Sequence, residues 1–116
     1  MKMSSKKTET NVESIEDYAT WVENKIITEG DIRLMENVLG LVGEAGEVAE
    51  KLKKMIRDKK EISLDEMMKE LGDCVFYIQA ICNFLGVTLG QVIKMNVDKL
   101  DDREERGVLS GSGDNR

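Results

Sequence analysis

Not one proline interrupts this chain of 116 residues, and no stretch alternates apolar and polar residues as a half-buried strand requires. Aromatic residues make up only 4%, while Leu, Ile, Val, Met, Glu and Lys abound, a balance that favours helices over sheets. Apolar residues recur at helical spacing in four segments. The first runs from about Ser14 to Ile27, with Ile15, Tyr18, Trp21, Val22 and Ile26 on one stripe, and Ser14 and Asp17 have capping-box-like spacing. The second opens after Asp31 and reaches about Arg57, carrying Ile32, Met35, Val38, Leu39, Val42, Leu52, Met55 and Ile56. The third runs from a cap signal at Ser63 and Glu66 to Leu85, closed by Gly86. The fourth follows Thr88, with Leu89, Val92, Ile93, Val97 and Leu100 expected inward. Antiparallel helices with short connections give an all-α, four-helix bundle-like unit over residues 13–106. It lies between a polar tail at 1–12 and an irregular tail at 107–116 that holds Gly107, Gly111 and Gly113.

A domain of this length has a modest core and commonly buries more by self-association, so a homodimer or homotetramer is expected. The net charge of −6 argues against a partner made of polymeric nucleic acid, whose binders carry a basic face. With no histidine in the chain, catalytic triads, histidine-ligated zinc and imidazole bases are excluded. The remaining chemistry belongs to carboxylates, amines, hydroxyls or metal-activated water. Cys74 and Cys82 lie eight residues apart on one predicted helix, about 12 Å along its axis at a rise of 1.5 Å per residue, too far to pair. They read as small core residues in a reducing compartment. The most apolar stretch, Cys74 to Val87, is broken by Gln79 and Asn83, so neither export nor membrane insertion is indicated and a cytoplasmic location is expected.

Two acidic motifs stand out, Glu44-Ala45-Gly46-Glu47 and Glu70-Leu71-Gly72-Asp73. Each sets two carboxylates at i and i+3, on one face of a helix. Both sit in apolar, glycine-containing surroundings where a solvated face would show more Lys and Arg. On adjacent antiparallel helices the four carboxylates converge and repel one another unless a cation sits between them. For oxygen-only ligands the default is Mg2+, with Mn2+ as its substitute. Gly40, Gly43 and Gly46 cost the second helix about 1 kcal/mol each relative to alanine. They imply a bend, or close approach by another helix, a backbone or a ligand.

Gly43-Glu44-Ala45-Gly46-Glu47, followed after 22 residues by Glu70-Leu71-Gly72-Asp73, resembles the ExxE...ExxD signature of the MazG-like, all-α nucleoside triphosphate pyrophosphohydrolases. The likeness continues through Asn96-Val97-Asp98-Lys99-Leu100 and Arg103 to Gly113-Asp114-Asn115-Arg116, and so spans about Trp21 to Arg116. It implies Mg2+-dependent cleavage of the α-β phosphoanhydride of an NTP or dNTP, giving the monophosphate and pyrophosphate in control of the nucleotide pool. Carried over by position, Glu44, Glu47, Glu70 and Asp73 become metal ligands, with Glu47 or Glu44 also activating the water. Asn96, Lys99 and Arg103 become contacts to triphosphate or sugar, and Tyr77 and Trp21 border the base. The resemblance further implies pockets assembled at subunit contacts. A tandem second domain like that of longer relatives is not expected, and the histidine some carry near the base is absent from this sequence, which leaves base preference open.

Two other readings compete. A helical interaction module would use the acidic cluster as a recognition patch, and a phosphoribosyl-ATP pyrophosphatase would apply similar chemistry to another substrate. Metal-dependent release of pyrophosphate from dNTPs separates the first from hydrolysis, and substrate competition separates the second.

Overall fold

A computed structural model of the chain describes residues 11–108. Four helices follow one another: α1 (Ile15–Glu23), α2 (Gly30–Arg57), α3 (Leu64–Leu85) and α4 (Leu89–Glu105). No strand occurs among the described residues, so the chain is all-α. Most of the tail at 1–12 and of the tail at 107–116, with the Gly113–Arg116 motif, lies outside the described residues.

The helix starts follow local side-chain chemistry. Ser14 Oγ accepts from the Asp17 N–H at 3.0 Å, and Ser63 Oγ from the Glu66 N–H at 3.4 Å. The reciprocal capping box occurs instead at α4, where Thr88 Oγ1 accepts from Gln91 N–H and Gln91 Oε1 from Thr88 N–H. That Thr-x-x-Gln signal stood in the sequence and sequence reasoning passed over it. Gly86 ends α3 in the left-handed region (φ 74°), a conformation other residues adopt at a cost. Helix α1 ends at Glu23, a turn short of the expected Ile27, and α2 begins one residue before Asp31.

Helices α2 and α3 form the main packing pair, and α1 lies on α3. The pair is antiparallel. Lys51 meets Glu66 and Glu70, Glu44 meets Glu70 and Asp73, and Gly40 meets Tyr77, so advance along α2 matches retreat along α3. An amide chain fixes α1 on α3: Gln79 Nε2 donates to Asn83 Oδ1 at 2.9 Å, and Asn83 Nδ2 donates to the Ala19 carbonyl at 3.0 Å. Arg33 of α2 reaches back to α1 with a two-pronged pair to Glu23 at 2.9 and 2.6 Å. The polar partners fix positions that the small core around Val22, Met55, Ala80 and Cys82 leaves loosely specified.

The apolar stripes are correctly periodic but mostly uncovered within one chain. Ile32, Met35, Leu39, Val42 and Ile56 of α2 are each more than 60% exposed. Helix α4 leaves α3 at 101°; Leu89 and Leu100 are half-buried, while Val92, Ile93 and Val97, expected inward, are exposed. Among the described residues no single helix is long and apolar enough to cross a membrane.

Candidate metal centre

The α2–α3 seam carries the chemistry. Glu44 from α2 and Glu70 and Asp73 from α3 each offer a carboxylate oxygen, and these atoms lie within 4.8 Å of one another. Glu44 and Glu70 are half-buried and Asp73 is exposed, so the group opens to solvent on one side. Glu47 is exposed and stands outside this group, near enough for its charge to act on Glu44. The i, i+3 spacing sets both glutamates on one face of α2, yet they are a turn apart along its axis, and the α3 carboxylates meet the first of them.

The cluster disturbs its own titration. Glu44 is pushed above the ordinary glutamate range, first by desolvation, then by the charges of Asp73 and Glu70, a hydrogen bond with Glu70, and the charge of Glu47. The Cys74 thiol is pushed up by burial and by Glu44, Asp73 and Glu70, which holds it in the unreactive protonated form. Cys74 and Cys82 are both free thiols, as their spacing required. Tyr18 is raised by burial and then by Asp73.

The residues fit a hard divalent cation. Bound Mg2+ takes oxygens at about 2.0–2.1 Å, so its ligands stand about 3 to 4 Å apart, and small carboxylate rotations close a 4.8 Å triangle to that size. The crowded acids raise Glu44, and a cation among them offsets the same excess of negative oxygens.

An aromatic ridge borders the acids. Trp21 stacks on Tyr18 with centroids 5.8 Å apart and meets the edge of Phe76 at 6.1 Å; Phe76 in turn meets Tyr77 at 5.3 Å. Lys25 Nζ lies 5.2 Å from the Trp21 ring centre. Tyr77 packs on Gly40, where an added methyl group would overlap the ring at Cε1 and Cζ and stand 2.8 Å from Cδ1. Gly40 therefore admits a close approach by a side chain, whereas Gly43 and Gly46 face open space and α2 runs on without a break. Tyr18, read from the sequence only as a residue of the apolar stripe, lies one turn before Trp21 on the same face and joins this ridge.

Asn96 and Lys99 lie on the exposed face of α4, beside Val92 and Met95 in an open recess. Arg103 is buried, at 3% exposure. Helix α4 leaves α3 at 101°, and the charges that raise Glu44 come from acids of α2 and α3.

The family model for the MazG nucleotide pyrophosphohydrolase domain matches residues 34–108, which includes all four motif acids and α4 and leaves out α1 with Trp21. The chain is also 48% identical over 82 residues to the "Gene 37 protein" of Mycobacterium phage L5, covering 67% of this chain and 72% of that protein. No solved structure matches the chain significantly.

Proposed function

This chain belongs to the MazG nucleotide pyrophosphohydrolase family, and from that premise we propose that it hydrolyses nucleoside or deoxynucleoside triphosphates to the monophosphate and pyrophosphate. The observation that carries the reading is the meeting of Glu44, Glu70 and Asp73 from two helices within 4.8 Å, inside the matched region. Mg2+ is the ion we assign to them, held by the three carboxylates; when bound it polarises phosphoryl oxygens and neutralises their charge. Glu47 is the base. It is one turn from Glu44 yet outside the ligand group, so its carboxylate is available to take a proton from water as the water attacks the α-phosphorus and the bond to the β-phosphate oxygen breaks. The pyrophosphate leaves as that bond opens.

The Tyr18–Trp21–Phe76–Tyr77 ridge gives the base an apolar wall on which to stack. Asn96 and Lys99 meet the triphosphate or sugar from α4 of a second copy, a reading supported by the 101° departure of α4 from α3 and by the large apolar side chains of α2, α3 and α4 that one chain leaves uncovered. A homodimer, or a tetramer of two such dimers, covers them. Work on the free nucleotide pool places the chain in the cytoplasm. Incubation with a mixed panel of common and modified nucleotides, with Mg2+ or with chelator, tests the reading. Metal-dependent pyrophosphate release from one or more nucleotides supports it, and none from any member contradicts it.

A further inference from the structure

The carboxylate seam has a cation of its own. Lys51, one turn past Glu47 on α2, places Nζ 3.9 Å from Glu70 Oε1 and 3.7 Å from Glu66 Oε1. The Lys51 side chain is 31% exposed and that of Glu70 16%, against 66% for Lys53 in its outward pair with Glu50. Lys51 follows Glu47 by four residues and Glu44 by seven, so all three share one helix face. Beyond it opens a recess of about 190 Å3 lined by Lys51, Lys54, Met55, Asp58, Lys60 and Glu66. Arg57 holds Asp58 at 2.9 and 3.2 Å and Lys51 holds Glu66, which leaves the balance of the recess positive in a chain of net charge −6.

Resting on the pyrophosphohydrolase reading, we propose that Lys51 is the internal counter-cation of the site: a divalent ion replaces it at Glu70, and its ammonium group then meets the outer phosphates of the nucleotide, which lie in the lysine-lined recess. An ammonium and a divalent ion repel across a shared carboxylate, and the doubly charged ion attracts Glu70 more strongly at equal distance. The displaced ammonium finds in the triphosphate a richer set of anionic oxygens than Glu66 alone supplies. Lys51 thereby links metal loading to the orientation of the departing pyrophosphate.

Calorimetric titration of the full chain with Mg2+ alone, and then with inorganic pyrophosphate at saturating Mg2+, tests the handover. Lys51→Met should bind Mg2+ about fivefold more tightly, the scale of one half-exposed ion pair removed from competition, and pyrophosphate about tenfold more weakly, the loss of one charge-assisted contact. Lys54→Met should weaken pyrophosphate alone, and Lys53→Met, an equal charge change outside the recess, should match the parent. A merely structural Lys51 moves the first readout the other way, because a loosened Glu70 binds metal less well. If Lys51→Met does not fold, Lys51→Gln is read by the same criteria. Unchanged or weaker Mg2+ binding in the variant, with an active parent, overturns this inference alone. A parent that binds no Mg2+ and cleaves no nucleotide overturns the reading beneath it, and this inference with it.

Discussion

Glu44 on α2 and Glu70 on α3 bring carboxylate oxygens within 4.8 Å of each other across the helix seam, where desolvation and the neighbouring acid charges hold Glu44 above its ordinary value. The raised Glu44 value therefore makes the metal-free fold depend on pH. A group held above its unfolded value contributes stability that is complete below the unfolded value and is lost as pH rises through the folded one. The Glu23–Arg33 pair has the opposite sign, since Arg33 lowers Glu23 and its contribution is lost toward acid. The Glu44 effect is isolated by comparison with Glu44→Gln, whose metal-free stability should fall less between pH 5 and pH 8. A thermal-melt series of both proteins checks this, and parallel curves contradict it.

Mg2+ relieves the repulsion among these acids, so it should raise the melting temperature more at pH 8 than at pH 5. A ligand at a hundredfold excess over its Kd stabilises by about 2.7 kcal/mol, or on the order of 10 °C for a domain of this size. Melts with Mg2+ against Na+ of equal ionic strength measure it. A shift that is absent, or larger at pH 5, means the carboxylates do not act as one site.

The glycines of α2 should separate by what faces them. Gly40→Ala drives a methyl group into the Tyr77 ring and should cost about 1–3 kcal/mol, the usual penalty of overpacking. Gly46→Ala meets open space within the chain and should stabilise by up to about 1 kcal/mol through helix propensity. Denaturant unfolding of the two variants decides, and a loss at Gly46→Ala would show that another surface covers that face.

The exposed apolar faces of α2, α3 and α4 predict self-association. Light scattering at micromolar concentration should give at least twice the 13.1 kDa of one chain; a particle of 13.1 kDa would refute the dimer.

Helix identity was legible because capping and periodicity are local: Ser14, Ser63 and Gly86 mark ends that the structure keeps. The convergence of Glu44 with Glu70 and Asp73 was legible too, since two i, i+3 pairs on an antiparallel hairpin have few other arrangements. Periodicity names the residues that share a face and says nothing of what covers it, which is why Val92, Ile93 and Val97 were expected inward and stand exposed. Which acid of a pair leads depends on the sliding register of α2 on α3, set by contacts such as Gly40 with Tyr77, and so Glu47 stands outside the cluster of Glu44, Glu70 and Asp73. Lys51 escaped for the same reason, because its partners lie on the opposite helix.

Pyrophosphate release measured across a Mg2+ titration tests most directly the proposed roles of Glu44, Glu70 and Asp73 as metal ligands and of Glu47 as the base that serves the water. Asp73→Asn should need at least about tenfold more Mg2+, the scale of a lost metal contact, and turn over at least about a hundredfold more slowly. Glu47→Gln should saturate at the parent's Mg2+ concentration with turnover lowered at least about a hundredfold, as loss of a general base gives. Near-parental rates and Mg2+ dependence in both variants would contradict the site.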